Sequence, residues 1–196
     1  MSQFDKDRFP DNYQRVVGMA ASSMLHKNSE ELVEILKNHR VLDSNSTVFE
    51  LGSGPARNLH YIYETFKNKK LYCSDLFREA SLRFMSSTMR DTVTFIEGDS
   101  QHVIDNKMVH SVDLFLVSDH FMHLQYEKAD YIIKKILSHW KPKYIMLREI
   151  KKEFETPDHP RLYHNYDQFL SDYEKIEEKT SDQVDAYFIW LLKRKQ

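Results

Sequence analysis

Three acidic residues lie at or near the carboxyl ends of three successive hydrophobic segments. Glu50 lies near the end of the first segment, Asp75 ends the second, and Asp99 comes shortly after the third. The third segment, Val93–Ile96, consists of β-branched and aromatic residues, a composition typical of strands. A carboxylate at the end of a buried strand needs a hydrogen-bonding or charged partner, because burying it alone is unfavourable. The recurrence of acids at successive strand ends therefore indicates one polar, ligand-binding edge.

Two glycines follow Glu50 in a tight turn. Gly52 and Gly54 are two of only four glycines in the chain, so their concentration in one turn indicates a function. Glycine tolerates positive φ and lets a ligand approach the backbone closely. In open α/β sheets, a turn that joins a strand to a helix in this way binds cofactors, although an ordinary turn remains the alternative. A dinucleotide fingerprint would need a further glycine where Arg57 stands, which weakens an interpretation as an NAD site.

Alternating strands and helices can bring these residues to one edge. The predicted strands are Val48–Leu51, Leu71–Asp75, Val93–Ile96, Val112–Val117 and Tyr144–Leu147. The predicted helices are Asp11–Leu25, Ser29–Asn38 (with Asn28 or Ser29 as its N-cap), Ala56–Phe66, Phe77–Ser87 and Lys128–Trp140. This alternation predicts a parallel sheet with right-handed crossovers. Two final strands, Tyr173–Thr180 and Ala186–Leu192, are close enough in sequence to form an antiparallel hairpin.

The segment Glu50–Asn58, E-L-G-S-G-P-A-R-N, resembles the first motif of the class I S-adenosylmethionine (SAM)-dependent methyltransferases, with Ala56 in place of the third glycine. The resemblance covers residues from about 45 to 195. It implies an α/β fold whose seven-stranded sheet has the order 3-2-1-4-5-7-6, with strand 7 antiparallel and helices on both faces. It also implies a single domain over 1–196, with an N-terminal helical cap (1–44), a Rossmann-like core (45–196) and a lid-like insertion at about 151–172.

The same resemblance implies SAM as the cofactor and assigns residues to it. Glu50 matches the acid that interacts with the methionyl amine, Asp75 the acid that accepts the ribose hydroxyls, and Asp99 the acid that binds the adenine amine. Seven further residues are expected around the cofactor: Gly52, Ser53, Gly54, Asn58, Leu76, Ser100 and Ser118. Helix capping remains an alternative role for Asp75 and Asp99, because aspartate caps helices well.

The segment after the fourth predicted strand, Val117–Leu124, is similar to the D-L-V-x-S-x-x-x-L-H-H-L stretch of small-molecule methyltransferases. His123 falls on the second histidine of that pattern, and His120 is additional. We expect both to be catalytic, either as general bases or by holding the acceptor. Asp119 and His120, together with Tyr13 and Tyr163, are expected to bind the acceptor. A packed, hydrogen-bonded histidine is the alternative for His123.

A metal site is the weakest interpretation of this histidine pair. Its remaining ligands would have to come from a distant loop that contains Asp158, His159 and His164. We therefore expect no metal. The segment also lacks the (Asn/Asp)-Pro-Pro-(Tyr/Phe) motif, which argues against the commonest DNA-methylating and protein-glutamine-methylating classes.

Composition narrows the function further. The chain has 196 residues and a net charge of −2, so no global basic field favours nucleic acid. The single cysteine, Cys73, is typical of a reducing compartment, and the charged N-terminus does not resemble a signal peptide, so a cytoplasmic location is expected. The sequence thus predicts an enzyme that transfers a methyl group from SAM to an oxygen or nitrogen atom of a small molecule. The alternatives are a catalytically silent, partner-binding relative and a methyltransferase acting on RNA or protein.

Overall fold

The computed structural model describes residues 23–76, 78–106, 109–155, 162–182 and 185–196. Seven strands form one sheet: Thr47–Leu51 (β1), Lys70–Asp75 (β2), Val93–Glu97 (β3), Leu114–Ser118 (β4), Tyr144–Ile150 (β5), Tyr173–Thr180 (β6) and Tyr187–Arg194 (β7). Their order is β3-β2-β1-β4-β5-β7-β6. Strands β1 to β5 are parallel, and β7 pairs antiparallel with both β5 and β6. The predicted fold class is confirmed.

The described residues contain six α-helices, one before β1 and five between strands: Ser23–Asn38 (α1), Arg57–Phe66 (α2), Arg78–Phe84 (α3), Ser87–Thr92 (α4), Ser100–Asp105 (α5) and Tyr126–Lys135 (α6). A π-helical turn, Ile136–Trp140, extends α6. Short 3₁₀ helices are Phe121–His123, Lys152–Phe154 and Tyr166–Ser171. In the part of the chain that the structure describes, no helix combines the length and the apolar character needed to cross a membrane.

The central strands are apolar because both faces of the sheet are covered. Every residue of β1 and of β5 is buried. Successive side chains of a strand point to opposite faces, and accordingly Phe49 belongs to one core cluster while Val48 belongs to the other. Residues of α5 and α6 cover the first cluster, and residues of α1 and α2 cover the second. This packing fixes the carboxyl ends of β1 to β4 at one edge.

Some helix boundaries differ from the prediction. Helix α1 already includes Ser23, so Asn28 and Ser29 lie inside it and do not cap it. Most of the predicted helix Asp11–Leu25 lies outside the described residues. The predicted helix Phe77–Ser87 is interrupted because Ser86 caps a new helix, α4, by accepting a hydrogen bond from the Met89 amide. Helix α5 was not predicted.

Candidate functional site

The glycine turn after β1 has a left-handed backbone at three positions. The φ angles are 68° at Gly52, 51° at Gly54 and 54° at Ala56. Left-handed φ is unfavourable for residues with a Cβ. Ala56 therefore carries a backbone cost that a glycine at this position would avoid. The turn is tied to the neighbouring strand β2, because Ser53 N–H donates to the carbonyl of Ser74 at 3.0 Å.

Glu50 is a buried carboxyl group, and only one of its two oxygens has a hydrogen-bond partner among the described residues. Its side chain is only 2% exposed. Oε1 accepts a hydrogen bond from Nδ2 of Asn58 at 2.6 Å, and Oδ1 of Asn58 in turn accepts one from Oγ of Ser29 at 2.7 Å. Oε2 has no hydrogen-bond partner among the described residues. Burial raises the pKa of Glu50 to about 8, against the lowering effects of Asn58 and Arg57. A cationic group at Oε2 would compensate for this burial.

Asp75 connects the glycine turn to the end of β2. Its Oδ2 accepts a hydrogen bond from Gly54 N–H and its Oδ1 accepts one from Leu76 N–H, both at 2.7 Å. The structure therefore brings Asp75 and Leu76 together with Gly54, as expected. Their contact with a ribose stays a prediction.

Asp99 caps helix α5. Its Oδ1 accepts hydrogen bonds from the amides of Gln101 at 2.8 Å and His102 at 3.3 Å. Nζ of Lys128 lies 3.5 Å from the other oxygen, Oδ2. The capping role that the sequence left open is thus realised, and it places Ser100 at the start of α5. Adenine binding by Asp99 stays a prediction.

His120 reaches across this edge from the end of β4. Its Nε2 lies 2.6 Å from Oγ of Ser100, within hydrogen-bonding distance. Its ring also lies against Gly52, where an added Cβ would come within 2.0 Å of Nδ1. Both neighbours were predicted to bind the cofactor, whereas His120 was predicted to face the acceptor. The structure thus groups His120 with the predicted cofactor residues.

Arg148 and Glu149, which sequence reasoning missed, hold the loop after β4. Glu149 is fully buried and accepts hydrogen bonds from three consecutive amides: His120 at 2.9 Å, Phe121 at 2.9 Å and Met122 at 3.2 Å. Burial, followed by the charge of Asp119, raises the pKa of Glu149 to about 8. The predicted strand ended at Leu147, but β5 continues to Ile150. The sequence did contain a signal for this role, since two charged residues directly follow the apolar segment Tyr144–Leu147.

The Arg148 guanidinium is 1% exposed and pairs with Asp119 at 2.5 Å. It also lies 4.4 Å from the ring centroid of Tyr187 on the adjacent strand β7. Asp119 adopts a left-handed φ of 56°. A left-handed backbone at a charge-paired residue is more frequent at functional sites, so Asp119 stays a candidate contact for the acceptor.

The remaining predicted residues differ in what the structure shows. His123 is half-buried and its amide donates to the carbonyl of His120 at 3.0 Å, so both histidines belong to one tight turn. Ser118, at the end of β4, is beside Arg148 in the sheet register. Tyr163 is half-buried with its ring against Tyr166. Tyr13 lies outside the described residues.

The predicted lid segment contributes to the core. Tyr166 and Phe169 are fully buried in the same cluster as Phe121. His164 Nε2 lies 2.7 Å from the carbonyl oxygen of Phe121. Asp158 and His159 are not among the described residues. No group of three or more His, Cys, Asp or Glu side chains within the described ranges is arranged to hold a metal ion.

No protein-family profile matches the sequence, and no curated protein is significantly similar to it. Solved structures do share its fold. An O-methyltransferase family protein from Burkholderia thailandensis is 15% identical with a TM-score of 0.69, over 99% of this chain and 63% of that chain. The small RNA methyltransferase HEN1 is 17% identical with a TM-score of 0.63, over 86% of this chain and 25% of that one.

A third solved structure is M. capricolum TrmK in complex with its natural cofactor product, S-adenosylhomocysteine. It is 11% identical with a TM-score of 0.55, over 80% of this chain and 66% of that one. The chain therefore spans less than two thirds of the length of each of these three structures. At such low identity the likeness concerns the fold, and this chain has the class I methyltransferase fold.

Proposed function

We propose that this protein binds SAM and transfers its methyl group to an oxygen or nitrogen atom of a small-molecule acceptor. The observation that carries the proposal is Oε2 of Glu50, a buried acceptor without a partner among the described residues. It lies at the glycine turn, on the strand between those that end near Asp75 and Asp119. An ordinary structural turn has no need of such an oxygen.

The residues present fit this cofactor. Glu50 would accept a hydrogen bond from the methionyl ammonium, and the charge of that group would favour the ionised carboxylate. Asp75 and Leu76 would contact the ribose, and Asp99 and Ser100 the adenine. Gly52, Ser53 and Gly54 would lie along the cofactor, where the absence of a Cβ at the glycines permits a close approach. Ser118 is expected nearby, and Asn58 would act by orienting Glu50.

The cofactor supplies the electrophile, a methyl group on a sulfonium, so the chain has to supply position and, for some acceptors, a base. The buried Glu149 and the Arg148–Asp119 pair fix the loop that carries His120 and His123. A fixed loop orients the acceptor for in-line displacement, which by itself provides much of the rate. His123 would remove the proton of an acceptor hydroxyl or ammonium.

A small-molecule acceptor is supported by the net charge of −2 and by the sequence pattern around His123. Asp119, Tyr163 and Tyr13 are the proposed acceptor contacts. One neighbour by fold is described as a small RNA methyltransferase, so RNA is the second candidate. A catalytically silent protein is disfavoured because it would not need the orphaned oxygen of Glu50.

Calorimetry with S-adenosylhomocysteine tests the cofactor assignment. We expect a dissociation constant in the micromolar range, which corresponds to a binding free energy of about −8 kcal/mol. NAD serves as the control ligand and should not bind detectably. Radiolabelled SAM incubated with small-molecule, RNA and protein fractions then tests the acceptor. Label in the small-molecule fraction supports the proposal, whereas label in RNA would favour the second candidate. No binding of S-adenosylhomocysteine would overturn the cofactor assignment.

A further inference from the structure

The side chain of His120 lies where the connections of the sheet change direction. Strands β2 and β3 lie on one side of β1, and β4 and β5 lie on the other. In open α/β sheets, ligands bind in the crevice at such a switch point, outside the carboxyl ends of the strands. From the end of β4, the imidazole of His120 reaches past Gly52, in the turn after β1, to Ser100 at the start of α5. The ring therefore lies across this crevice.

The ring contacts two residues that are proposed to hold the cofactor. A Cβ added at Gly52 would overlap Nδ1, Cγ and Cβ of His120, so the imidazole already fills the space beside this glycine. The corresponding space beside Gly54 is open, with no atom within 4 Å. Nε2 of His120 lies 2.6 Å from the hydroxyl oxygen of Ser100. A cofactor that contacts both Gly52 and Ser100 needs the volume that the ring occupies.

The backbone of His120 is held in place, whereas its side chain can rotate. Its amide donates a hydrogen bond to Oε1 of the buried Glu149 at 2.9 Å, and its carbonyl accepts one from the amide of His123 at 3.0 Å. The side chain is half-buried, and rotation about its Cα–Cβ bond leads to other staggered positions. The ring can therefore leave the crevice without movement of the loop after β4.

We propose that His120 is a gate residue, whose imidazole competes with the cofactor for the crevice and rotates away from Gly52 and Ser100 when the cofactor binds. This inference rests on the proposed function and concerns the regulation of that site. The contact with Ser100 is one hydrogen bond, whose net contribution is small, so the gate opens reversibly. The apparent affinity for the cofactor is lowered by the fraction of molecules in which the crevice is open. If His120 contacted the bound cofactor instead, its removal would weaken binding.

Surface plasmon resonance with S-adenosylhomocysteine on the immobilised protein tests the gate. His120→Ala should raise the association rate constant, and strengthen binding, by about threefold to tenfold, the equivalent of one hydrogen bond. The dissociation rate constant should change by less than about twofold, because the bound state no longer contains the contact. His110→Ala is the matched control, since His110 is exposed and precedes β4 at its amino end, and it should change neither constant. Unchanged association in His120→Ala, or weaker binding with faster dissociation, would overturn the inference.

Crystal structures of the wild-type protein with and without S-adenosylhomocysteine test the gate even if His120→Ala does not fold, which thermal unfolding would reveal. Without the ligand, Nε2 of His120 should lie within hydrogen-bonding distance of Oγ of Ser100. In the complex this contact should be broken and the ligand should lie beside Gly52. A contact that persists in the complex would overturn the inference and leave the proposed function standing. Failure of the wild-type protein to bind S-adenosylhomocysteine would instead overturn the proposed function itself.

Discussion

The imidazole of His120 lies against the Cα of Gly52, so closely that a Cβ at position 52 would overlap its ring. The same imidazole is within hydrogen-bonding distance of Ser100. One side chain from the end of β4 therefore contacts the turn after β1 and the helix after β3. Glycine at position 52 is required by this contact as well as by its positive φ.

Gly52→Ala should destabilise the protein more than Gly54→Ala, although both positions have a left-handed backbone. An added Cβ at Gly54 would have no atom within 4 Å. Gly54→Ala should therefore lower the free energy of unfolding only by the cost of a left-handed backbone at alanine, roughly 1–2 kcal/mol. Gly52→Ala adds a collision with His120, worth a further ~1–3 kcal/mol. Urea unfolding measures both values.

His120→Ala supplies the control for this comparison. In the double variant with Gly52→Ala the collision is absent, so the cost of Gly52→Ala should fall to that of Gly54→Ala. Equal costs for the two single variants would contradict the contact between Gly52 and His120.

Asp75→Ala should weaken binding of S-adenosylhomocysteine by one to two powers of ten, or about 1.4–3 kcal/mol. The reason is the loss of charge-assisted hydrogen bonds to the ribose. Asp75 also accepts the amides of Gly54 and Leu76, so thermal unfolding must accompany the calorimetry. A folded Asp75→Ala variant with wild-type affinity would remove Asp75 from the ribose site.

His123→Ala should leave the affinity for S-adenosylhomocysteine within a few-fold of wild type but slow methyl transfer to the acceptor. A general base would account for a loss on the order of a hundredfold or more. The rate of the wild-type enzyme should then fall at acidic pH, because a protonated imidazole cannot take a proton from the acceptor. If the loss appears only in the acceptor KM, with an unchanged pH profile of kcat, His123 shapes the pocket and is not a base.

Glu50→Gln should flatten the dependence of stability on pH. The pKa of Glu50 is about 8 in the folded protein, above its ordinary value of 4.5. Between these values the folded state keeps a proton that the unfolded chain has lost, so stability decreases as the pH rises towards 8, by at most ~1.4 kcal/mol per pH unit. Above that range the contribution is constant. Urea unfolding at several pH values measures this slope.

Glu34→Gln is the matched control for this experiment, because Glu34 is exposed and should not alter the slope. The buried Glu149 should contribute in the same direction and remains in the Glu50→Gln variant, which is therefore expected to keep part of the slope. An unaltered slope in Glu50→Gln would show that Glu50 does not retain its proton.

Glu149→Ala should destabilise the protein by about 3 kcal/mol or more, because three amides, two of them buried, would lose their acceptor. Glu153→Ala, which removes an exposed acid from the following 3₁₀ helix, should stay within about 0.5 kcal/mol of wild type. Denaturant unfolding distinguishes the two. A small effect of Glu149→Ala would mean that other groups hold the loop after β4.

The sequence by itself predicted a parallel sheet with acids at one edge, and its resemblance to the class I methyltransferases supplied the strand order 3-2-1-4-5-7-6. Apolar strands alternating with helices have few topologies open to them, and acids at consecutive strand ends must meet at one edge because parallel strands point the same way. Glu50, Asp75 and Asp99 could therefore be placed from their positions alone. The left-handed turn at Gly52 and Gly54 was predictable for the same local reason, since glycine tolerates that backbone.

Only the tertiary structure decided which of these groups already have partners. Asp99 caps a helix that periodicity did not reveal, because α5 has only six residues. Whether any described residue reaches Glu50 Oε2 depends on the directions of the side chains around it. The contact of His120 with Gly52 joins residues 68 positions apart, and the hydrogen bonds of Glu149 to the loop after β4 span 27 to 29 positions. Such contacts are set by the packing of strands side by side, and no local pattern in a single sequence encodes them.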